Sequence, residues 1–281
     1  MTALLNETAL INGWRIATGR HGEGLPVLLL HGTPAHSVIW RKVVPRLTAA
    51  GMQVHLFDLL GFGASERPLQ GDTSVAVQSR LIGDLLDHWG LERVHLVGHD
   101  IGGVNALLFA LDHPQRVHSL TVADAPSYDS WPSPTWRGIH QRFAEHARMA
   151  PDEHRALMIR QLAMAVFDKS VMQGALLEEY LAPISGVIGQ PAFYQHQVAH
   201  YDSRYTADFA KRLPGMDLPV QILWGAEDEW QPLAYAHRLR NDIHGAVLQV
   251  VQNAGHFLME DAPERVSEYL VDFIGQVHSK R

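Results

Sequence analysis

The chain contains no cysteine, which removes disulfides, thiolate catalysis and cysteine-ligated zinc or iron–sulfur sites together. A basic surplus is missing too. Lys and Arg total 23 against 30 Asp and Glu, a formal charge of −7 that leaves nothing to neutralise a phosphate backbone, so no nucleic-acid partner is expected. Long apolar runs are absent: even Val27–Leu30 is stopped by His31 and Gly32, far short of the ~20 residues that cross a bilayer. The first fifteen residues carry no Lys or Arg before Arg15 and place Asn6 and Glu7 inside their only apolar stretch, which does not read as a secretory signal. An unprocessed, soluble, cytoplasmic protein without membrane contact is the expectation. No H-E-x-x-H occurs and nothing clusters like metal ligands, so neither metal nor cofactor is expected. Charged residues make up 19%, below the roughly 25% of ordinary soluble domains, while 46% are hydrophobic. A large buried interior follows.

Short apolar runs recur along the chain with helical patterns between them, the pattern of strands buried on both faces of a mostly parallel sheet. The runs are Val27–Leu30, Val54–Phe57, Val94–Val97, Leu120–Ala123, Val220–Trp224 and Val247–Val251. Helical spacing appears over Trp40–Ala50, over Ser74–Trp89 with Val77, Leu81, Leu85 and Trp89 four apart, over Val104–Leu111, and over Pro263–Ile274 with Val266, Leu270 and Phe273 on one face. The plan predicted is α/β, a doubly wound sheet. Between Ala123 and Val220 the strand rhythm stops and helical patterns take over: Leu157, Met158, Leu162 and Val166 form one stripe in Glu153–Phe167, Ala175–Leu181 repeats it, and Pro191 suits the first turn of a helix through Tyr201. Prolines 126, 132 and 134 mark the entry to this stretch, 214 and 219 its exit. The expected organisation is a core of residues 1–126 and 215–281 with a helical cap over 127–214.

The sharpest local signal is Gly98-His99-Asp100-Ile101-Gly102, placed directly after the Val94 strand and directly before a helix. A strand-to-helix turn this tight strains its central residue, needs small flanking residues, and lifts the central side chain above the sheet. Asp100 has a second reading, as the capping residue of the helix it precedes. Three further features fall in register with the first reading. His256, in Asn253-Ala-Gly-His-Phe257, stands in a turn after the last strand and before the last helix, where a base is useful. An acid from Trp224-Gly-Ala-Glu-Asp-Glu229 would hold its tautomer, with Glu227 and Glu229 competing with Asp228. His31-Gly32-Thr33-Pro34 follows the first buried strand and brings backbone N–H groups near the turn; His31 itself reads as a structural hydrogen-bonder. Leu59-Leu-Gly-Phe-Gly-Ala-Ser65 lacks the Gly-Lys-Ser/Thr ending of a phosphate loop and reads as a turn.

Taken together, the strand order, the His31-Gly32-Thr33-Pro34 loop, Asp58–Ser65, the turn at Asp100, Asp228, His256 and the helical insertion resemble the capped α/β-hydrolase superfamily over essentially the whole chain. The turn has the form of its G-x-S-x-G nucleophile elbow, with aspartate in place of serine, and no G-x-S-x-G occurs elsewhere. The resemblance implies Asp100 as nucleophile, His256 as base and Asp228, three residues beyond Gly225, as its orienting acid. It also implies an oxyanion hole from the amides of Thr33 and Ile101. Aspartate further resembles the branch of epoxide hydrolases and haloalkane dehalogenases. A carboxylate attacking an acyl group would form a reactive anhydride, so its natural target is an sp3 carbon with a leaving group.

The leaving group is less legible. Dehalogenases of the familiar kind carry Trp after the nucleophile and Asn in the loop where this chain has Ile101 and Thr33; fluoroacetate-type enzymes carry Arg after the nucleophile and a second Arg nearby, and neither Ile101 nor Asn105 supplies that contact. Epoxide hydrolases use cap tyrosines, and the insertion holds Tyr128, Tyr180, Tyr194, Tyr201 and Tyr205; Tyr194 and Tyr201, seven apart, are favoured for one helix face. Trp131 and Trp136 are candidate N–H donors to a halide, or fill the hinge. The expected function is hydrolysis of a small apolar molecule through an aspartyl ester. Epoxide opening leads, followed by C–halogen hydrolysis, strained-lactone hydrolysis and a non-catalytic ligand-binding receptor of the same fold.

Overall fold

A computed structural model describes residues 3–280 of the chain. Eight strands form one sheet: β1 (Glu7–Ile11), β2 (Trp14–His21), β3 (Leu25–Leu30), β4 (Met52–Phe57), β5 (Val94–His99), β6 (Val117–Ala123), β7 (Val220–Gly225) and β8 (Val247–Val251). Their order is β1-β2-β4-β3-β5-β6-β7-β8, antiparallel for β1–β2 and β2–β4 and parallel from β4 onward. The doubly wound α/β plan is thus present. The first two strands, absent from the sequence reading, are a hairpin whose two-residue turn is Asn12-Gly13, both at positive φ. Asn-Gly suits that mirror-image turn because its twist matches the strands.

The core helices are α1 (Val44–Ala49), α2 (Val75–His88) and α3 (Ile101–Asp112), with α10 (Leu233–Asp242), α11 (Leu258–Asp261) and α12 (Pro263–Ser279) after the insertion. α1 is shorter than the Trp40–Ala50 pattern predicts: Ser37–Trp40 is a separate 3-10 turn, and Pro45 stands in the first turn of the helix proper. β5 is buried along its whole length, with Val94, Leu96 and Val97 under α3 and the flanking strands.

Between β6 and β7 lie α4 (Pro134–Gln141), α5 (Phe143–Ala147), α6 (Pro151–Met164), α7 (Gly174–Leu181), α8 (Gly186–His196) and α9 (Phe209–Arg212). α8 differs from expectation. Pro191 lies in its interior and Tyr201 lies beyond its end. The interior proline is tolerated because Val187, whose carbonyl loses the bond, is 94% exposed and open to water. Gln197 and the short 3-10 turn Val198–His200 then end the helical path, so Tyr194 and Tyr201 do not share a face of one helix. The outermost residues of the expected core span, 1, 2 and 281, lie outside the described residues.

Truncating Leu96, fully buried in mid-strand β5, to Ala is expected to cost about 2–5 kcal/mol. Chemical denaturation of the two proteins measures it.

Candidate active site

Every candidate residue of the core sits just past the C-terminal end of a parallel strand, the usual place for a site in an open α/β sheet. β3 delivers Gly32 and Thr33, β5 delivers Asp100, β7 delivers Asp228 and β8 delivers His256. At Asp100 the backbone has φ +53° and ψ −127°, a conformation that costs a non-glycine residue about 1–3 kcal/mol and persists only where the surroundings enforce it. Close packing supplies the enforcement. A Cβ on Gly98 would strike the Gly102 carbonyl, and one on Gly102 would strike the carbonyls of His31 and Leu30.

The Asp100 carbonyl accepts from the N–H groups of Gly103 (2.8 Å) and Val104 (3.2 Å), but its side chain makes no capping bond to α3. The carboxylate faces the neighbouring loops instead. The Thr33 N–H donates to Oδ1 at 2.8 Å, and His256 Nε2 stands 3.4 Å from Oδ2. Gly32 admits this approach, since a Cβ there would lie 2.5 Å from Asp100 Oδ1. Ile101 begins α3, where its N–H has no partner within the helix.

His256 Nδ1 donates to Asp228 Oδ2 at 2.8 Å, and Asp228 Oδ1 accepts from the N–H groups of Trp230 (2.7 Å) and Gln231 (2.9 Å). The bond places the proton on Nδ1 and leaves Nε2 toward Asp100. The competing acids are engaged elsewhere: Glu227 accepts from Ala254 N–H at 3.0 Å, and Glu229 pairs with Lys169 at 2.8 Å. Burial alone would push the imidazole of His256 down; the carboxylates of Asp228 and Asp100 overcome it and hold the group well above the usual histidine range. His99 behaves oppositely. Burial and the neighbouring His256 pull it down to about 3, and its neutral ring donates from Nε2 to the His256 carbonyl at 2.8 Å. His31 is also neutral by burial, donating to Gly32 O and accepting from Leu59 N–H, each at 2.9 Å.

The insertion closes over this group with aromatic rings. Tyr201 packs 5.8 Å from both Trp131 and Trp136, Trp136 lies 6.2 Å from Trp230, and Trp230 lies 4.8 Å from His256. Thr33 Oγ1 donates to Gln197 Oε1 at 2.7 Å, so its contact with Tyr201 at 2.6 Å is one in which the phenol donates. Burial raises Tyr201 above the ordinary phenol range and keeps it protonated, and the Asp100 charge adds to the effect. Tyr194 is placed differently. Its hydroxyl meets His154 Nδ1 at 3.3 Å and its ring packs against Phe143 inside the insertion. Next to Ile101 and Tyr201 lies a cavity of about 10 Å³, room for about one water, also bordered by Phe62, Val75, Trp131 and Gln197 and by the polar Thr73, His196 and His200.

Gln197, Trp230 and Asp124 belong to the same constellation and are not among the residues the sequence reading singles out. Trp230 is detectable two residues beyond Asp228; Asp124, just after β6, the strand between β5 and β7, carries no local signal. Among the described residues, Asp124, Asp228 and His256 are the acidic and imidazole groups that converge most like cation ligands, within 4.8 Å of one another. The lone pairs of Asp228 already point at N–H groups, which makes the cluster a proton network in its donor chemistry.

Residues 26–263 match the alpha/beta hydrolase fold family, and the chain belongs to it. It is 29% identical to a soluble epoxide hydrolase of Corynebacterium sp., covering 97% of this chain and 98% of that protein. It is 27% identical to a 2-hydroxy-6-oxononadienedioate/2-hydroxy-6-oxononatrienedioate hydrolase of Cupriavidus pinatubonensis, covering 93% and 91%. An alpha/beta hydrolase fold protein from Burkholderia ambifaria, of known crystal structure, superimposes with a TM-score of 0.90 at 35% identity, covering 97% and 98%. The protein is a hydrolase by fold and family. Among the described residues, no helix is long and apolar enough to cross a membrane.

Thr33→Val keeps the β-branched shape but strips the hydroxyl that joins Tyr201 to Gln197, leaving two buried groups unpaired. A loss of about 1–3 kcal/mol is expected, read from denaturant midpoints.

Proposed function

We propose that the protein hydrolyses a small, uncharged, apolar substrate through an ester formed on Asp100, and that opening of an epoxide is the reaction this site suits best. One observation carries the reading: the Asp100 carboxylate is held between the Thr33 amide and His256 Nε2, while Tyr201 reaches the same threonine through its hydroxyl. Thr33 thus links the proposed nucleophile and acid by hydrogen bonds, and the proposed base stands beside the same carboxylate. The cavity next to Ile101 and Tyr201 carries no Lys or Arg, and burial pushes its two imidazoles, His196 and His200, below the usual histidine range, which suits a neutral substrate. The Corynebacterium relative, named as an epoxide hydrolase, supports the same choice.

In the first step an Asp100 oxygen bonds to a ring carbon, the carbon–oxygen bond breaks, and the departing oxygen takes a proton from Tyr201, which recovers one from the His256 imidazolium. Orientation by the enclosing rings lowers this barrier more than intrinsic nucleophilicity does. Forming the ester also removes the negative charge beside His256 Nε2. The support for a protonated imidazole is thereby weakened at the moment when a neutral base is needed. In the second step His256 takes a proton from water, whose oxygen attacks the ester carbonyl. The resulting oxyanion is stabilised by the Thr33 and Ile101 amides, where one donor is worth about 3 kcal/mol. Collapse releases the diol, protonated by His256, and the remaining acid proton of Asp100 returns to the imidazole. Atoms balance to substrate plus one water.

A second reading, C–halogen hydrolysis, rests on Trp230: its Nε1 is buried and has no partner among the described residues, leaving a donor for a halide next to His256. Both readings share the ester.

Single turnover in oxygen-18 water with parallel panels of epoxides and haloalkanes tests them. Label is expected in the Asp100 carboxylate on peptide mass analysis; label confined to product would make Asp100 a base and sink the ester. His256→Gln is expected to accumulate the covalent adduct, because hydrolysis needs the imidazole as its base, whereas alkylation draws on it only to restore the Tyr201 proton, which water can also supply. Tyr201→Phe is expected to slow epoxide opening about a hundredfold while leaving haloalkane turnover within a few fold.

A further inference from the structure

Behind the base stands a carboxyl group that the reaction above does not use. Asp124 follows β6 at φ +45° and is fully buried. Its N–H donates to Leu223 O at 3.1 Å and its Oδ1 accepts from Gly225 N–H at 2.9 Å, so it ties the end of β6 to the end of β7, the strand that leads to Asp228. Its other oxygen is the anomaly. Oδ2 is buried and no donor faces it, while a carboxylate oxygen of Asp228 and a ring nitrogen of His256 fall with the Asp124 carboxylate inside one 4.8 Å cluster.

Two ionised carboxylates this close and this dry repel strongly, and one of them must hold a proton. The donor count decides which. Asp228 receives three N–H donors, from Trp230, Gln231 and His256, as an ionised acceptor does. Asp124 receives one and has an oxygen left over. We propose that Asp124 is a neutral carboxylic acid whose Oδ2 proton is donated to the Asp228 carboxylate, making it a positioning residue that fixes the acid behind His256 and moderates its charge. The groups facing His256 are then Asp100 and Asp228 as anions, with His99 and Asp124 neutral. Burial, with the Asp228 charge second, pushes the Asp124 carboxyl well above the usual carboxylate range, in agreement with the donor count.

The consequence for the base is a matter of degree. An anionic Asp228 with a fourth hydrogen-bond donor attracts the imidazolium proton less than one without it, so the neutral form of His256 is reached at lower pH. The arrangement does not depend on which substrate is opened.

Asp124→Asn keeps the acceptor for Gly225 and places an N–H₂ where the acid proton would be. The first readout is stability. An unfolded Asp releases its proton near pH ~3.9, whereas the folded acid keeps it, so between about pH 4 and neutrality this residue makes wild-type stability fall as pH rises. The amide variant carries no such dependence. The melting temperature of Asp124→Asn minus that of the wild type is therefore expected to climb steadily from about pH 4 to neutrality, and a flat or falling difference would overturn the proposal. Infrared difference spectra between the two proteins at neutral pH are expected to show a protonated carboxyl band; carboxylate bands instead would equally overturn it. The second readout uses turnover. Asp124→Ala is expected to move the acid limb of the pH–rate profile upward by at least about half a unit, and Asp124→Asn to restore it. Equal limbs in both variants would leave Asp124 a strand clamp only and refute the moderating role. The stability and infrared arms need no substrate, so they can fail or succeed independently of the ester route.

Discussion

The arrangement of this protein depends on accommodating one carboxyl group, that of Asp100, almost removed from water. A lone buried carboxylate costs several kcal/mol, so the group is tolerable only with donors and a counter-charge already in place. Thr33 N–H supplies the donor at 2.8 Å and His256 the charge at 3.4 Å. Each supplier imposes its own demand on the chain. The amide reaches Asp100 only because position 32 has no side chain, and the carboxylate rises above the sheet only because positions 98 and 102 have none. Sequence constraint spreads outward from a single anion.

The counter-charge carries the constraint further. His256 is fully buried, and its protonated form survives there because Asp228 and Asp100 lie on opposite ring nitrogens. A third ionised carboxylate in the same dry volume would leave the cluster two charges out of balance. A neutral Asp124 leaves alternating anion, cation and anion, the arrangement with the least self-repulsion.

Much of this is legible in the sequence, for identifiable reasons. The six parallel strands are short and apolar on both faces, a pattern that survives without knowledge of their partners, and the strand-to-helix turn at Asp100 announces itself through its glycines. Asp228 stands beside two other acids, and only tertiary contacts separate it from Glu227 and Glu229, which bond to Ala254 and Lys169. The β1–β2 hairpin escapes a reading by apolar runs because half of its side chains face water and its apolar run is broken, although Asn12-Gly13 marks the turn. Pairing Tyr194 with Tyr201 assumes that a proline starts its helix. α8 instead begins five residues before Pro191 and ends before Gln197, which parts the two phenols. Asp124 gives no local pattern at all; its chemistry exists only when β6 and β7 lie side by side.

The insertion holds the two ends of the site by bonds of different kinds. On the histidine side, Asp261 accepts from the N–H groups of Gly255 (2.9 Å), Phe167 (2.8 Å) and Asp168 (3.2 Å), and Phe257 N–H donates to Ala165 O at 2.6 Å. Tyr180 donates to the buried Glu260 at 2.7 Å, which also pairs with Arg41. These are largely bonds to carboxylates, roughly twice as strong as those between neutral groups. On the opposite side the links around Tyr201 are mostly between neutral groups, Thr33 to Gln197 and Tyr201 and Thr73 to the His196 carbonyl at 3.0 Å, with His200 3.7 Å from Asp72 farther out. His256, with its hydrogen bond to Asp228, therefore sits at the firmly pinned end. Tyr201 sits at the other end, where its bond to Thr33 joins two neutral hydroxyls and is exchanged at smaller cost than a bond to a carboxylate.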